Sequence, residues 1–223
     1  GDARKILVEL NKIVLPRNAD QWNEKVMKWK GVKLFSYTDS SEIIKPQAVV
    51  EAVYRETGGN AIIATEVGQH QMWTAQYYLF DKPRTLLTSG GLGTMGYGLP
   101  AAMGAAVANP QVPVIDIAGD GSIQMNIQEL ATLSLNNIPV KIVILNNSYL
   151  GMVRQWQELF HNKRYSSTCL RGGTLCNKCV GTQKCQKQYV PDFVALAKSY
   201  NIAAFRAEKP DQISSVLKEG LAV

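Results

Sequence analysis

Two apolar segments, residues 112–118 and 140–145, each end in a short polar turn, and one helical segment lies between them. Near-continuous apolar runs of this length are typical of strands that are buried in a parallel sheet. Two such strands joined by one helix form a right-handed crossover, so both strands point in the same direction. Their carboxyl ends, at 119–122 and 146–147, are therefore predicted to meet at the sheet edge where open α/β sheets bind ligands.

The same alternation of strand and helix continues along much of the chain. Besides the helix between the two strands, predicted at 126–136, we predict strands at 61–65, 85–88 and 202–205, and helices at 46–57, 98–108, 191–200 and from 210 onward. This pattern predicts an α/β domain with a mainly parallel sheet that helices cover on both faces. The first 44 residues differ, because they carry two short helices, at 2–11 and 20–30, and then a linker with little periodicity. We therefore divide the chain into 1–44 and 45–223.

Charge and hydropathy exclude several classes of protein. The net charge is +6, but the basic residues are scattered, and the sequence forms no basic face that would predict nucleic-acid binding. No run of 18 or more apolar residues is present, so no membrane span is predicted. The first residues do not form a secretory signal, and we expect a cytoplasmic protein.

The polar ends of the two strands carry groups that suit a metal-bound phosphate. Asp120 offers a carboxylate and Asn147 an amide oxygen, and both are hard ligands that suit Mg²⁺ better than zinc. Gly119 and Gly121 let backbone N–H groups approach a phosphate, and a helix that starts near Asn126 would present its positive end to it. A strand-end Asp that caps the next helix, with an Asn pair in a turn, is the alternative. The joint pattern favours a magnesium-bridged diphosphate site.

Several motifs resemble one family in the same order and spacing. The Gly-Asp-Gly at 119–121 and the Asn pair at 146–147 look like the thiamine diphosphate signature of pyruvate-handling enzymes. Segments 67–73, 89–96 and 149–156 resemble acetolactate (acetohydroxyacid) synthase catalytic subunits. The resemblance implies a three-layer thiamine-diphosphate-binding fold at 45–223, truncated at its C-terminal end. It also makes 1–44 the end of the family's middle domain and its linker.

The resemblance assigns roles to individual residues. It implies that Asp120, Asn147 and the backbone carbonyl of Tyr149 hold Mg²⁺. It implies a cofactor-binding set of Val67, Gly68, Gln69, His70, Gly93, Met95, Gly119, Asp120, Gly121, Ser122, Met125, Asn147, Gly151, Met152 and Val153. It implies a catalytic set of Met95, Met125, Met152 and Trp156, in which Met95 wedges the cofactor into a bent form and Trp156 shapes the pocket of the second ketoacid. Core methionines and a helix-packing tryptophan are the alternatives.

The implied activity is that of a transferase in branched-chain amino-acid biosynthesis. It decarboxylates pyruvate with thiamine diphosphate and joins the product to pyruvate or 2-ketobutyrate. The full-length enzyme is implied to bind FAD, to form a homodimer or tetramer, and to bind a regulatory small subunit. The activating glutamate is expected on a different domain, so we expect the isolated chain to be inactive. Pyruvate oxidase, glyoxylate carboligase and a non-catalytic nucleotide- or metal-binding module remain alternatives, and the glycines at 91, 93 and 96 also match a dinucleotide fingerprint.

Four cysteines depart from the family pattern. Cys169, Cys176, Cys179 and Cys185 lie within one short stretch, and the middle two form a CxxC motif. Four thiols could bind one zinc ion or an iron–sulfur cluster, although a second CxxC is missing. The alternative is a loop whose cysteines are reduced or partly disulfide-linked.

Overall fold

The computed structural model of the chain describes residues 1–31, 35–170 and 190–223. The chain divides into two compact units, Gly1–Ser36 and Tyr37–Val223. The assignment of 1–44 to the end of a middle domain and its linker stays a prediction.

The first unit contains two helices, α1 (Ala3–Ile13) and α2 (Asp20–Gly31). Asp2 caps α1, because its Oδ1 accepts the backbone N–H of Lys5 at 2.9 Å. Asp20 is the first residue of α2, and its own N–H donates to Oδ1 of Asn18 at 2.9 Å. Both predicted helices are therefore present, with small shifts at their ends.

The second unit is built on a parallel sheet. Its strands are β1 (Ile62–Thr65), β2 (Leu86–Thr88), β3 (Val114–Gly119) and β4 (Val140–Leu145), in the spatial order β2-β1-β3-β4. Every pair of neighbouring strands is parallel, and Gly119 at the end of β3 is in register with Leu145 at the end of β4. The predicted parallel sheet and the predicted meeting of these two strand ends are confirmed.

The strand predicted at 202–205 is wrong. Ile202 and Ala204 are half-buried, whereas Ala203 and Phe205 are exposed, so the burial alternates as it would in a strand. Ile202 packs beside Leu196 and Tyr200, and the segment pairs with no strand of the described sheet. The strand was predicted from the sequence at 202–205, and the alternating burial there comes from packing and not from strand pairing.

Seven helices of the second unit are described. They are α3 (Pro46–Thr57), α4 (Gln69–Tyr77), α5 (Gly98–Ala108), α6 (Glu129–Asn136), α7 (Gly151–Phe160), α8 (Phe193–Ser199) and α9 (Ile213–Ala222). Two single 3₁₀ turns, Ile123–Met125 and Pro210–Gln212, precede α6 and α9. The helix expected to start near Asn126 begins only at Glu129. Asn126 instead ends the 3₁₀ turn with a non-helical φ of −137°, and its side chain donates to the carbonyl of Gly96.

Helices cover both faces of the sheet. On one face, Ile63, Ile115 and Ile117 pack against side chains of α3, α4 and α9. On the other face, Leu99 and Met103 of α5 pack with side chains of α6 and α8. The small residues of α5 let it lie directly on β1 and β3. Burial of each aliphatic side chain stabilises the fold by about 1.5–3 kcal/mol. The helices on both faces of the sheet confirm the three-layer architecture.

The strand order places a crevice between β1 and β3. From β1 the chain moves through α4 to β2 on one side, and from β3 it moves through α6 to β4 on the other side. Adjacent strands whose connections leave in opposite directions form a topological switch point, where ligands bind outside the carboxyl ends. Within the described residues, no helix is long and apolar enough to cross a membrane.

Candidate functional site

The imidazole of His70 fills the crevice between the ends of β1 and β3. A Cβ atom on Gly68 would lie 2.6 Å from Cε1 of His70, and one on Gly119 would lie 2.6 Å from Nδ1. Glycine is therefore required on both sides of the ring, and His70 is only 5% exposed. The two glycines that flank the switch point and the histidine form one packed unit.

His70 is neutral at pH 7. Burial lowers the pKa of His70 to about 4, although a hydrogen bond that the ring donates to the backbone carbonyl of Glu66 opposes this shift. Nε2 of His70 is buried and has no hydrogen-bond partner among the described residues. Buried polar atoms nearly always have a partner, so this nitrogen marks a place that a ligand can complete.

Asp120 holds the loop after β4 against the end of β3. Its side chain is 2% exposed. Oδ1 accepts the N–H of Gly121 at 3.1 Å, and Oδ2 accepts the N–H of Ser148 at 2.5 Å. Ser148 has a positive φ of 63°, so the loop turns sharply to direct its N–H at the carboxylate. The carboxylate and the loop after Asn146 therefore meet, as the sequence predicted.

The backbone carbonyl of Tyr149 faces the same side as Asn147. Tyr149 pairs with Cys169 in an isolated antiparallel bridge, and the neighbouring residues make both hydrogen bonds, from Leu150 N to Thr168 O at 2.8 Å and from Leu170 N to Ser148 O at 2.9 Å. In such a pair the N–H and C=O of the central residue point away from the partner strand. The N–H of Tyr149 accordingly donates to Oδ1 of Asn147 at 2.9 Å.

Two helix N-termini converge beside this loop. Neither α4, after Gly68, nor α7, after Leu150, has a side-chain cap at its N-terminus. A Cβ atom on Gly151 would overlap Oε1 of Gln69 and would lie 3.1 Å from Nδ2 of Asn147, so the first residues of the two helices are in contact. Uncapped N–H groups and two positive dipole ends at one point favour an anion. From the sequence, a helix that starts near Asn126 was expected to face the phosphate; the N-termini of α4 and α7 are the ones that meet beside the loop.

The loop at 89–96 is fixed at its last residue. The N–H of Gly96 donates to Oε2 of Glu66 at 2.6 Å, and its carbonyl accepts Nδ2 of Asn126 at 2.6 Å. Gly96 has a φ of 83°, and a Cβ atom there would lie 2.7 Å from Cβ of Met125. The preceding residue, Met95, is half-buried, and its Cε lies 4.0 Å from the position of a Cβ atom on Gly121. Met95 and Met125 thus both lie next to the loops that form the site.

A cleft of about 360 Å³ opens beside the two helix ends. Its wall joins the start of α4, the loop after β4 and α7, and it is lined by Gln69, Asn147, Tyr149, Gly151, Arg154, Gln155, Glu158 and Leu159. Nε2 of Gln69 donates to Oε1 of Gln155 at 2.8 Å, which ties α4 to α7. The guanidinium of Arg154 lies 4.5 Å from the ring centre of Tyr149 and 3.8 Å from that of Tyr165.

Five predicted site residues remain, three on α7 and two in loops. Met152 is half-buried, whereas Val153 and Trp156 are 51% and 53% exposed. The ring of Trp156 packs on Phe160, with ring centres 5.2 Å apart. Val67 lies in the turn between β1 and α4. Gly93 lies in the loop at 89–96 and has a φ of 67°.

Comparison with known proteins agrees with this geometry. Residues 66–223 match the family described as thiamine pyrophosphate enzyme, C-terminal TPP binding domain. The chain belongs to this family. The match begins at Glu66, directly after β1, so it includes β3, β4 and all of the loops described above.

Three relatives of this thiamine pyrophosphate enzyme domain are all named acetolactate synthase. The chain is 43% identical over 229 residues to the acetolactate synthase large subunit of Haemophilus influenzae, which covers 100% of the chain and 37% of the relative. It is 42% identical to the acetolactate synthase isozyme 3 large subunit of Escherichia coli, over 99% of the chain and 37% of the relative. It is 46% identical over 200 residues to acetolactate synthase 1, chloroplastic, of Oryza sativa, over 90% of the chain and 30% of the relative. The chain therefore spans about a third of the length of these relatives.

The cysteine hypothesis lies largely outside the described residues. Cys169 is half-buried next to Tyr149, but Cys176, Cys179 and Cys185 are not among the described residues. Across 1–31, 35–170 and 190–223, no group of three or more His, Cys, Asp or Glu side chains could hold a metal ion. A zinc or iron–sulfur site at the four cysteines stays a prediction.

Sequence reasoning missed two buried acids and two helices, α4 and α7. Glu66 and Asp116 are both 0% exposed, but an acidic residue next to or within an apolar strand carries no signal of its environment. The start of α4 was missed because its buried residues are His70 and Thr74, so it shows no apolar stripe. Glycine before a polar helix start, as at Gly68, is the signal that would have indicated it.

Gly151→Ala tests the contact between the two helix N-termini. We expect the affinity for thiamine diphosphate to fall about tenfold, or about 1.4 kcal/mol, because the new methyl group displaces the amides of Gln69 and Asn147. The end of the Gln69 side chain can move, so the free energy of unfolding should change by less than about 1 kcal/mol. Calorimetric titration and thermal unfolding measure the two effects. Gly220→Ala is the control, since its Cβ atom would meet only Phe205, at 3.9 Å; equal affinities of the two variants would contradict the prediction.

Proposed function

We propose that this protein is the thiamine-diphosphate- and magnesium-binding part of an acetolactate synthase catalytic subunit. The observation that carries the proposal is the meeting of Asp120, the loop at 146–149 and two uncapped helix N-termini at the switch point of the sheet. The relatives that are named acetolactate synthase, at 42–46% identity, support this choice over pyruvate oxidase or glyoxylate carboligase.

The proposed Mg²⁺ ligands are Asp120, Asn147 and the backbone carbonyl of Tyr149. All three are oxygen donors, which suit this hard cation. Each side-chain oxygen that accepts a backbone N–H keeps a second lone pair, so these hydrogen bonds orient the ligands and leave room for a cation. A single carboxylate also fits a cation whose remaining charge the diphosphate neutralises.

The proposed diphosphate contacts surround this cation. They come from the ends of β1 and β3 and from the first turns of α4 and α7, and they are Val67, Gly68, Gln69, His70, Gly119, Gly121, Ser122, Gly151, Met152 and Val153. Backbone N–H groups supply much of this contact, which explains the close-packed glycines. His70 contributes as a neutral ring: one nitrogen donates to the carbonyl of Glu66, so the buried Nε2 is an acceptor that can take a hydrogen bond from a Mg²⁺-bound water or from a donor group of the cofactor.

The proposed catalytic residues are apolar. Met95, Met125 and Gly93 would line the pyrimidine side of the cofactor, with Met95 as the wedge behind its bent form. Met152 on α7 would also line the cofactor pocket, and Trp156 would shape the pocket of the second 2-ketoacid. Bound thiamine diphosphate supplies the electron sink for the decarboxylation of pyruvate. The chain's own residues orient the cofactor against the substrate and exclude water.

The remaining proposals concern the whole protein. They are the condensation with pyruvate or 2-ketobutyrate, a role in branched-chain amino-acid biosynthesis, bound FAD, a homodimer or tetramer, a regulatory small subunit and a cytoplasmic location. The names of two relatives, which are large subunits, support a smaller partner.

Calorimetric titration of the chain with thiamine diphosphate tests the cofactor site. We expect saturable binding that requires Mg²⁺, and about 50-fold weaker binding in Asp120→Ala, because the substitution removes the charged ligand and the acceptor of the Ser148 N–H. Asp211→Ala is the control, since Asp211 is an exposed acid before α9. Absence of binding by the unaltered chain, or binding that survives Asp120→Ala or does not require Mg²⁺, would contradict the proposal.

A further inference from the structure

The carboxylate of Glu66 contacts two loops of the site at once. It follows β1 directly and is 0% exposed. Oε2 accepts the N–H of Gly96 at 2.6 Å, and Oε1 accepts the N–H of Leu99, in the first turn of α5, at 3.3 Å. The hydroxyl of Ser122, which donates to the carbonyl of Gly119 at 3.4 Å, lies close enough to this carboxylate to favour its charged form. Glu66 therefore joins the end of β1 to the loop at 89–96 and α5, beside the turn after β3.

The loop at 89–96 and the turn after β3 carry different parts of the proposed cofactor site. The loop at 89–96 carries Met95, directly before Gly96, whereas Ser122 belongs to the turn that carries Asp120. Gly96 is held on both sides, because Glu66 binds its N–H and Asn126 binds its carbonyl. The carboxylate thus sets the position of Met95 relative to Asp120.

The arrangement of donors around Glu66 suits a carboxylate and not an amide. One backbone N–H group donates to each of its oxygens, so an amide NH₂ at either oxygen position would face a donor. The other acid nearby, Asp116, is also 0% exposed, and neither of its oxygens has a hydrogen-bond partner among the described residues. Burial raises the pKa of both acids, but the N–H groups of Leu99 and Gly96 oppose the rise at Glu66, whereas Glu66 adds to the rise at Asp116, so Asp116 is the more readily protonated of the two.

We propose that Glu66 is a positioning residue that ties the loop carrying Met95 to the turn carrying Asp120 and so fits the site to the whole of thiamine diphosphate. This proposal rests on the proposed function. It implies that Glu66 acts on the pyrimidine and thiazolium part of the cofactor. The diphosphate part is held by Asp120, whose side chain is fixed independently by Gly121 and Ser148.

Two ligands separate this role from general structural support. Glu66→Gln is titrated by calorimetry with thiamine diphosphate and with inorganic pyrophosphate, each in the presence of Mg²⁺. We expect thiamine diphosphate to bind about tenfold more weakly, and pyrophosphate to bind within about twofold of the unaltered chain. Asp116→Asn is the matched control, because it replaces a neutral buried acid with a neutral amide of the same shape, and we expect it to bind both ligands within about twofold.

A second variant covers the case in which Glu66→Gln does not fold. Asn126→Ala releases the same loop from its other side, and we expect the same selective loss of thiamine diphosphate affinity. An equal loss of both ligands, or unchanged affinity for thiamine diphosphate in these variants, would overturn the positioning role while leaving the proposed function in place. An unaltered chain that binds neither ligand would overturn the proposed function, and this inference with it.

Discussion

Gly98→Ala is expected to lower the free energy of unfolding by about 3 kcal/mol. Gly98 begins α5, where this helix approaches β1 and β3 most closely. A Cβ atom there would overlap Oδ1 of Asp116 and would lie 2.7 Å from the backbone N of Glu66 and 2.8 Å from the backbone carbon of Thr65. Overpacking usually costs about 1–3 kcal/mol, and the upper end applies because two of the three contacts are backbone atoms that cannot turn away. Urea unfolding at pH 7 measures the change.

Gly104→Ala is the matched control in the same helix. Gly104 is exposed, and a Cβ atom there would meet nothing within 4 Å. Alanine forms helix more readily than glycine, so we expect this variant to be about 0.5–1 kcal/mol more stable than the unaltered chain. Opposite signs at the two positions would show that the packing of α5 on the sheet, and not helix propensity, decides the effect at Gly98. Two changes of the same sign and size would contradict this account.

The part of the site that could be predicted from the sequence depends on strand direction. Asp120 and Asn147 each follow an apolar strand, and parallel neighbours bring their carboxyl ends together whatever the details of packing. The structure confirms this meeting through the hydrogen bond from the N–H of Ser148 to Asp120. The helix predicted at 98–108 is also present, and its small residues lie directly on the sheet. These predictions succeed because each depends on local residue types and on one rule of topology.

The parts that could not be predicted depend on which surface a residue faces. α7 begins after Leu150 without a capping side chain, so no sequence signal places its N-terminus beside the site. Glu66 and Asp116 have the same side-chain types as surface acids, and only the fold shows that both are fully buried. The helix expected from Asn126 was placed three residues too early. The side chain of Asn126 bonds to Gly96, and the local sequence does not show this tertiary contact. Residue type therefore predicted candidate ligands but not the groups that hold these side chains in place.

The free energy of unfolding is expected to depend on pH through Asp116. Burial raises the pKa of Asp116 well above its ordinary value, and the nearby Glu66 raises it further. Asp116 is in register with Ala64 on β1 and Ile142 on β4, and the sequence of α5 contains no charged residue that could compensate. In the unfolded chain an Asp ionises near pH 4. Above that pH the folded state therefore holds one proton that the unfolded state has lost.

The sign of this effect follows from the proton balance. Because the folded state binds more protons, stability falls by about 1.4 kcal/mol per pH unit, from about pH 4 up through the folded pKa. Asp116→Asn lacks this titration, so the unaltered chain should lose more stability than the variant as the pH rises from 5 to 7. His70 acts in the opposite direction, since its lowered pKa costs stability as the pH falls below about 6.5, but it is present in both proteins and cancels in the difference. Urea unfolding of both proteins at pH 5, 6 and 7 measures this difference, and parallel pH profiles would show that Asp116 is already ionised in the folded protein at pH 5.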